Sequence, residues 1–344
     1  MILIVTPYGP ETGSGNWRTA DRYHRLLMQA GVAASTVVGE PSVADLSSAS
    51  CGLLLHARRS HAAGVRFAQA GKPYAVVLTG TDLYADLQGH TSTAWRQQAE
   101  QTILGSKAVV GLQADACNCL RGLLPQVPPC VVIPQTADFQ AGVQTSAHAR
   151  PKALSVAPAR LHALLVGHVR PEKDPLTAYR AVTLLAQAQQ PLPVCLTHLG
   201  GVLDAGLDAQ LAAWVHEQHA PVQREGQVPH ERVRQAMLEA DLLVAPSRME
   251  GGALVLAEAA AVGLPIVASR IPGHVGILGE QHPGWFEPGD AADLSARLQR
   301  WLSSRSDRQA LQLASDAARQ RLTNHQAEVA SLLSVLERLQ AAAA

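Results

Sequence analysis

The sequence predicts an α/β protein with two Rossmann-like, doubly wound domains that face each other across a cleft. Short apolar runs alternate with amphipathic stretches almost from end to end, which is the pattern of parallel sheets flanked by helices. With 344 residues, the chain is also too long for one typical hydrophobic core. Pattern and length therefore both favour two domains.

The apolar runs define two series of predicted strands. The first series comprises residues 2–6, 34–38, 52–56, 74–79, 108–112 and 130–134, and the second comprises 162–167, 194–200, 220–226, 240–246 and 265–269. Residues 138–160 between them are rich in Ala, Ser, Pro and Gln and lack a clear period, which predicts an interdomain connection. We therefore expect domains at 1–150 and 151–324, with a helix over 325–344 that packs back on the first domain.

Composition excludes several classes of function. The 28 basic and 28 acidic residues cancel, so the whole molecule has no electrostatic reason to bind nucleic acid or an anionic membrane. No apolar stretch reaches the length of a membrane span, and no basic region precedes the first apolar run. We expect a cytoplasmic protein with small-molecule partners, while the sequence predicts no particular oligomeric state.

The cysteines and acids give no indication of a metal site. The five cysteines are an odd and sparse set, which favours reduced thiols over a disulfide framework. The C-x-C pair of Cys117 and Cys119 lacks a second pair of zinc ligands. No D-x-D occurs, so a divalent cation has no obvious carboxylate pair, and we expect neither metal nor cofactor.

The loop after the first predicted strand has the character of an anion site. It contains Gly13 and Gly15, and a helix is predicted to begin near Asn16. Glycines let backbone amides approach an anion closely, and a helix N-terminus carries a partial positive charge. The loop does not match G-x-G-x-x-G, so an ordinary flexible turn is the alternative.

Two further strand ends of the first domain carry polar side chains. His56, Arg58 and Arg59 follow one strand and could hold a small phosphate-like anion, although a solvated helix start would look the same. Thr81 and Asp82 follow the next strand in the segment TGTD, where they could orient a substrate, while Asp82 could equally cap a helix. Both segments are candidates for an acceptor site.

The segment VGHVRPEKDP opens the second domain with two cations. Arg170 and Lys173 lie three positions apart in a loop bounded by Gly and Pro, so both can point at one anion while Asp174 caps the next helix. A reaction that expels a diphosphate needs such charge, because negative charge grows on the leaving oxygen. These two cations would then take the place of a metal ion.

The stretch SRMEGGALVLAEAA contains two acids eight positions apart. A helix is predicted to begin near Ala253, which leaves Glu250 in the preceding loop and puts Glu258 more than one turn inside the helix. Gly251 and Gly252 would expose the first amides of this helix. Carboxylates accept hydrogen bonds from pairs of sugar hydroxyls, so the two acids are candidates for gripping hydroxyls on either side of a phosphate.

The segments VGHVRPEK and PSRMEGGALVLAEAAAVGLPIVAS together resemble the two signature segments of the family 4 nucleotide-sugar glycosyltransferases, which have the GT-B fold. The resemblance spans about 160 to 270 and has both segments in the expected order. It implies that Arg170 and Lys173 bind the donor diphosphate, that Glu250 binds the transferred sugar, and that Glu258 binds the ribose of a uridine nucleotide. It also implies a phosphate site made of the backbone amides of Gly251, Gly252, Ala253 and Leu254. We further expect Gly13, Gly15 and Asn16 to face the diphosphate from the first domain.

The first domain has a narrower resemblance. GSGNWRTADRY, LLLHARRS and VVLTGTDLY resemble the selenosugar synthases of the selenoneine pathway. That resemblance implies transfer of a sugar, typically N-acetylglucosamine, from a uridine diphosphate sugar (UDP-sugar) to selenophosphate, with release of UDP. Many family members have a histidine-containing segment where TGTD stands here, so no role for Thr81 or Asp82 follows from them. A transferase with a hydroxyl acceptor, a UDP-N-acetylglucosamine epimerase and a non-catalytic sensor remain alternatives.

Overall fold

The computed structural model describes residues 1–137, 159–188 and 193–342. The contacts divide the chain into two compact units. The first unit is Met1–Gln135, Glu250–Gly252 and Asn324–Ala344, and the second is Thr136–Met249 and Ala253–Thr323. The predicted domain boundary at 150 and most of the predicted connection lie outside the described residues.

The first unit contains a six-stranded parallel sheet in the order β2-β1-β3-β4-β5-β6. The strands occur close to where the sequence predicts them because each is a short apolar run. They are β1 (Ile2–Thr6), β2 (Ala34–Val38), β3 (Cys51–Leu55), β4 (Tyr74–Leu78), β5 (Ala108–Gly111) and β6 (Cys130–Val132). The central strands β1, β3, β4 and β5 are buried throughout, as expected for a sheet covered on both faces.

Helices of the first unit connect successive strands, and the last helix of the chain joins them. They are α1 (Gly15–Gln29), α2 (Val43–Ser48), α3 (His61–Gln69), α4 (Thr93–Leu104), α5 (Ala116–Leu123) and α13 (His325–Ala341). Leu332, Val335 and Leu336 of α13 belong to the same core cluster as strands β1 and β3. A buried ion pair adds to this packing, since the Arg22 Nε donates to Glu328 Oε1 over 2.8 Å.

The second unit contains another six-stranded parallel sheet, in the order β12-β11-β10-β7-β8-β9. Its strands are β7 (Leu161–Val166), β8 (Val194–Leu199), β9 (Val222–Gly226), β10 (Leu242–Ala245), β11 (Ile266–Ser269) and β12 (Trp285–Phe286). The short strand β12 is absent from the sequence prediction. Two apolar clusters fill the second unit, one containing Leu243 and Leu256 and the other containing Tyr179 and Leu196.

The helices of the second unit follow its strands in the same way. They are α6 (Pro175–Ala186), α7 (Ala205–Gln218), α8 (His230–Glu239), α9 (Leu254–Ala261), α10 (Pro272–Leu278), α11 (Ala291–Ser303) and α12 (Arg305–Leu322). The predicted α/β class with two Rossmann-like sheets is confirmed. Within the described ranges, no helix is both long enough and apolar enough to span a bilayer.

The cysteines depart from the prediction of reduced thiols. Cys117 on α5 and Cys130 on β6 form a disulfide, with Cα atoms 5.6 Å apart. Cys51, Cys119 and Cys195 are free thiols. The prediction was wrong because α5 and β6 are adjacent in space, a relation that an odd number of cysteines does not reveal.

Candidate functional site

The glycine loop after β1 ends in a capped helix. Gly13 adopts a left-handed conformation with φ of 57°. Ser14 then caps α1, and its hydroxyl accepts a hydrogen bond of 3.2 Å from the Trp17 amide. The helix begins at Gly15, one residue before the predicted Asn16, and an added Cβ at Gly15 would meet no described atom within 4 Å. An exposed helix N-terminus, the element that favours anions, therefore follows β1.

Asp82 is a structural carboxylate. It is fully buried, and its two oxygens accept hydrogen bonds of about 3 Å from four backbone amides: Ala57, Thr79, Gly80 and Leu83. These amides come from the loops after β3 and β4, so the carboxylate joins two neighbouring strand ends. The prediction that Asp82 contacts an acceptor is corrected, because its oxygens face the protein backbone.

His56 is buried and neutral. The residue is 1% exposed, and its backbone has a left-handed φ of 70°. The Nδ1 atom accepts a hydrogen bond from the Arg59 amide, so the proton resides on Nε2, which donates to Thr81 Oγ1 over 2.9 Å. Burial lowers the pKa of His56 below its usual value, against the opposing charges of Asp82 and Asp86. His56 therefore orients Thr81 and adds no positive charge.

The two neighbouring arginines have different surroundings. The Arg58 Nε donates to Asp86 Oδ2 over 2.8 Å, and its guanidinium lies 4.1 Å from the centre of the Trp95 ring. Arg59 is exposed, with its guanidinium 4.8 Å from the centre of the Tyr8 ring. The predicted cluster of three ionisable groups is thus corrected to one internal ion pair, one neutral histidine and one solvent-facing arginine.

The glycines of SRMEGG have a packing role. A Cβ added to Gly251 would lie 2.3 Å from the carbonyl carbon of Thr79, and one added to Gly252 would lie 2.5 Å from Gln135 Oε1. Gly80, with φ of 119°, makes the same close approach from the other side. These contacts require glycine at both positions. They attach Glu250–Gly252 to the rest of the first unit, and Glu250 itself is 8% exposed.

In the second unit, Arg170 precedes a single turn of 3₁₀ helix after β7, and Lys173 is the last residue of that turn. The Arg170 side chain is 37% exposed, its Nε makes no hydrogen bond within the described residues, and Glu172 Oε2 lies 4.0 Å away. The aliphatic stem of Lys173 passes Gly167, where an added Cβ would lie 3.3 Å from Lys173 Cδ. The turn thus holds two cations at the carboxyl end of a central strand, which is where ligands bind open α/β sheets.

Asp174 and Arg248 connect two adjacent strand ends of the second sheet. Asp174, at the start of α6, accepts hydrogen bonds from Thr177 Oγ1 at 2.7 Å and from the guanidinium of Arg248 at 2.8 Å. The Arg248 amide also donates to the Glu172 carbonyl over 2.8 Å. Arg248 lies two residues before Glu250 in sequence, yet its spacing gave no signal of this contact.

The helix of the second signature begins at Leu254, one residue after the predicted start. Ala253 precedes it with a left-handed φ of 33°, an uncommon conformation for a residue with a side chain. Glu258 is 4% exposed and accepts a hydrogen bond of 2.8 Å from His230 Nε2 at the start of α8. Sequence reasoning missed His230, since it lies 28 residues away in an unremarkable helix start.

Comparison with known proteins finds a family model that matches part of the chain. Residues 151–320 match the model of the glycosyl transferases group 1 family. The amylovoran biosynthesis glycosyltransferase AmsK of Erwinia amylovora is 35% identical over 118 residues, which are 32% of this chain and 29% of that protein. The sulfoquinovosyl transferase SQD2 of Arabidopsis thaliana is 35% identical over 88 residues, 24% of this chain and 17% of that protein. The matches thus span less than a third of each relative.

Solved structures share the fold over the whole chain. The sucrose-phosphate synthase of Thermosynechococcus elongatus has a TM-score of 0.80 at 18% identity and covers 99% of both chains. The Anabaena protein Alr3699/HepE, in complex with UDP and glucose, has a TM-score of 0.72 at 14% identity and covers 98% of this chain and 99% of its own. At these identities the likeness shows the fold alone, and that fold is GT-B.

Proposed function

We propose that this chain, whose residues 151–320 match the model of the glycosyl transferases group 1 family, is a transferase that transfers the sugar of a UDP-sugar to selenophosphate. The observation that carries the donor half of the proposal is the family match, because it spans Arg170, Lys173, Glu250 and Glu258. The acceptor half rests on the three segments of the first unit that resemble selenosugar synthases.

On the donor side, Arg170 and Lys173 neutralise the charge that grows on the departing diphosphate. They act in place of a divalent cation, and the amides at the start of α9 add hydrogen bonds to the phosphate oxygens. Glu250 accepts hydrogen bonds from hydroxyls of the transferred sugar, which we propose to be N-acetylglucosamine. Glu258, held by His230, accepts them from the ribose.

On the acceptor side, Thr81 and Arg59 are the groups that contact the anion. His56 donates to one lone pair of the Thr81 hydroxyl, which leaves the Thr81 O–H to donate to a phosphoryl oxygen. Arg59 is exposed and stacks on Tyr8, so its guanidinium can pair with the same anion. The acceptor therefore meets one positive charge and one oriented hydroxyl.

The reaction requires little proton chemistry. A lone pair on the selenium of selenophosphate forms the bond to the anomeric carbon, while the bond from that carbon to the diphosphate oxygen breaks and its electron pair leaves with UDP. The nucleophile is already an anion, so no strong general base is needed. Catalysis then consists of positioning the two substrates and stabilising the leaving group.

The direct test incubates the protein with UDP-N-acetylglucosamine and selenophosphate and analyses the products by mass spectrometry. We expect UDP together with a sugar that carries the isotope pattern of selenium. Inorganic phosphate in place of selenophosphate is the matched control and should give no sugar transfer. Donor conversion without any acceptor would instead identify an epimerase, and tight UDP-sugar binding without turnover would identify a sensor.

A second candidate is a transferase with a hydroxyl acceptor. It shares every donor residue and is favoured by the Arg58–Asp86 ion pair, which removes one positive charge from the predicted anion cluster. A screen of alcohol and sugar acceptors separates the two. UDP release that occurs only with such acceptors would contradict the selenophosphate proposal and retain the donor assignment.

A further inference from the structure

A buried histidine lies at the end of β8, next to the start of the cation-bearing turn. His198 is 3% exposed, and its Nε2 donates to the carbonyl oxygen of Gly167 over 2.8 Å. The Tyr179 hydroxyl lies 2.8 Å from Nδ1 of the same ring. Because a carbonyl can only accept, Nε2 carries the proton and the tyrosine donates to Nδ1. Both ring nitrogens are thus engaged in one defined tautomer.

The carbonyl that His198 holds is in a tightly packed position. A Cβ added to Gly200 would lie 1.9 Å from the Gly167 oxygen, so the two strand ends approach as closely as glycine allows. On the other side, the stem of Lys173 packs against Gly167. Any shift of the Gly167 peptide would therefore move the surface on which Lys173 lies.

We propose that His198 is a positioning residue for donor binding: its hydrogen bond to Gly167 sets the turn from Gly167 to Lys173 in the geometry that receives the diphosphate of the donor. The inference rests on the proposed donor site. It adds a role for a side chain that contacts no substrate and acts through the Gly167 peptide.

Burial keeps the ring of His198 neutral, which makes Nδ1 the acceptor of the Tyr179 hydroxyl. Burial lowers the pKa of His198 to about 4, which outweighs its bond to Gly167. The titratable groups near the ring are Arg224, which is paired with Asp208, and His168. At pH values well above 4 the imidazole is neutral, so Nδ1 accepts from Tyr179 while Nε2 donates to Gly167.

The test separates the two ring nitrogens by substitution. In His198→Gln the amide nitrogen can reach the position of Nε2 and donate to Gly167, whereas in His198→Asn it reaches only the position of Nδ1. We expect His198→Asn to weaken UDP binding about tenfold in calorimetry, the scale of one lost hydrogen bond, and His198→Gln to stay within about threefold of the parent. In turnover assays the donor KM should rise while kcat changes less.

His282 supplies the matched control. It is 5% exposed in the same unit, and its Nε2 makes the same kind of bond, to the Ile266 carbonyl at 2.8 Å. His282→Asn should lower thermal stability as His198→Asn does and leave UDP affinity unchanged. Equal UDP affinities for the parent and His198→Asn, or equal losses in His198→Asn and His282→Asn, would overturn the inference.

A spectroscopic measurement on the unaltered protein does not depend on how the variants fold. Ring ¹⁵N shifts should identify His198 as the Nε2–H tautomer from about pH 6 to pH 8, since the bond to Gly167 requires that proton. A ring with its proton on Nδ1 would overturn the inference. If the parent protein does not bind UDP at all, the proposed donor site fails, which is a different result from equal binding by parent and variant.

Discussion

The carboxyl edges of the two sheets differ in how they use charged residues. In the first unit, Asp82 binds backbone amides and Arg58 pairs with Asp86, so these charges stabilise the edge itself. In the second unit, the side chain of Arg170 is more than a third exposed, and Glu172 Oε2 lies 4.0 Å from its Nε. Charges that follow apolar strands thus hold the edge of the first sheet together, whereas at the edge of the second sheet they include a partly exposed arginine.

The largest effect of a substitution is expected at Asp82. Asp82→Ala removes the acceptor of four buried amides, and we expect it to lower the free energy of unfolding of the first unit by about 3–5 kcal/mol. Hydrogen exchange followed by mass spectrometry measures this, because it reports the two units separately. Protection should fall in the first unit and remain in the second.

Asp82→Asn is the control for that measurement. It keeps one carbonyl oxygen, which can still accept from Thr79, Gly80 and Leu83, so its effect should be smaller than that of alanine. If Asp82→Ala left protection unchanged and impaired acceptor use instead, the structural assignment of this carboxylate would be wrong.

The next largest effect is expected at the exposed edge of the second unit. Arg170→Ala or Lys173→Ala should lower turnover of a UDP-sugar by about a hundred- to a thousandfold, the scale of losing one donor to a developing negative charge. Arg180→Ala is the matched control, since Arg180 is an exposed cation of the same unit that stacks on Trp214. Unchanged turnover in both site variants would mean that the diphosphate binds elsewhere.

The strands were predictable because they are short runs of buried apolar residues. In the first unit the predicted strand ends agree with the structure to within about two residues. The strand that was missed, Trp285–Phe286 of the second unit, is too short to show a period. The helix starts at Gly15 and Leu254 also lie one residue from their predicted positions. These features depend on local sequence, which is what a sequence pattern records.

The candidate site was less predictable because its contacts are distant along the chain. Arg58 meets Asp86 28 residues later, and His230 meets Glu258 at the same separation. Gly251 was predicted to expose backbone amides. The structure adds a second reason for glycine at this position, because a side chain there would clash with the backbone of Thr79. Residue type and spacing identify groups that can bind an anion, and only the packing shows which of them the protein already uses.

The disulfide offers a further distinction between the units. Cys117–Cys130 lies in the first unit, so reduction should destabilise that unit by about 3 kcal/mol or less, mainly because it raises the conformational entropy of the unfolded chain. Non-reducing peptide mapping should recover the two cysteines as one linked peptide, with Cys51, Cys119 and Cys195 alkylated after unfolding. Full alkylation of all five without reduction would contradict the bridge.

The smallest effect is expected at Arg59, and it tests whether a charged side chain at the carboxyl edge of the first sheet contacts a ligand. Arg59→Ala should raise the KM for selenophosphate about tenfold, as expected for one lost charge-assisted hydrogen bond, with little change in stability because Arg59 is exposed. Arg58→Ala is its counterpart: it leaves the buried Asp86 without its ion-pair partner, so it should lower stability and affect KM less. Equal KM changes in both variants would mean that the anion pairs with Arg58 as well, and the contrast between the two edges would then be one of degree.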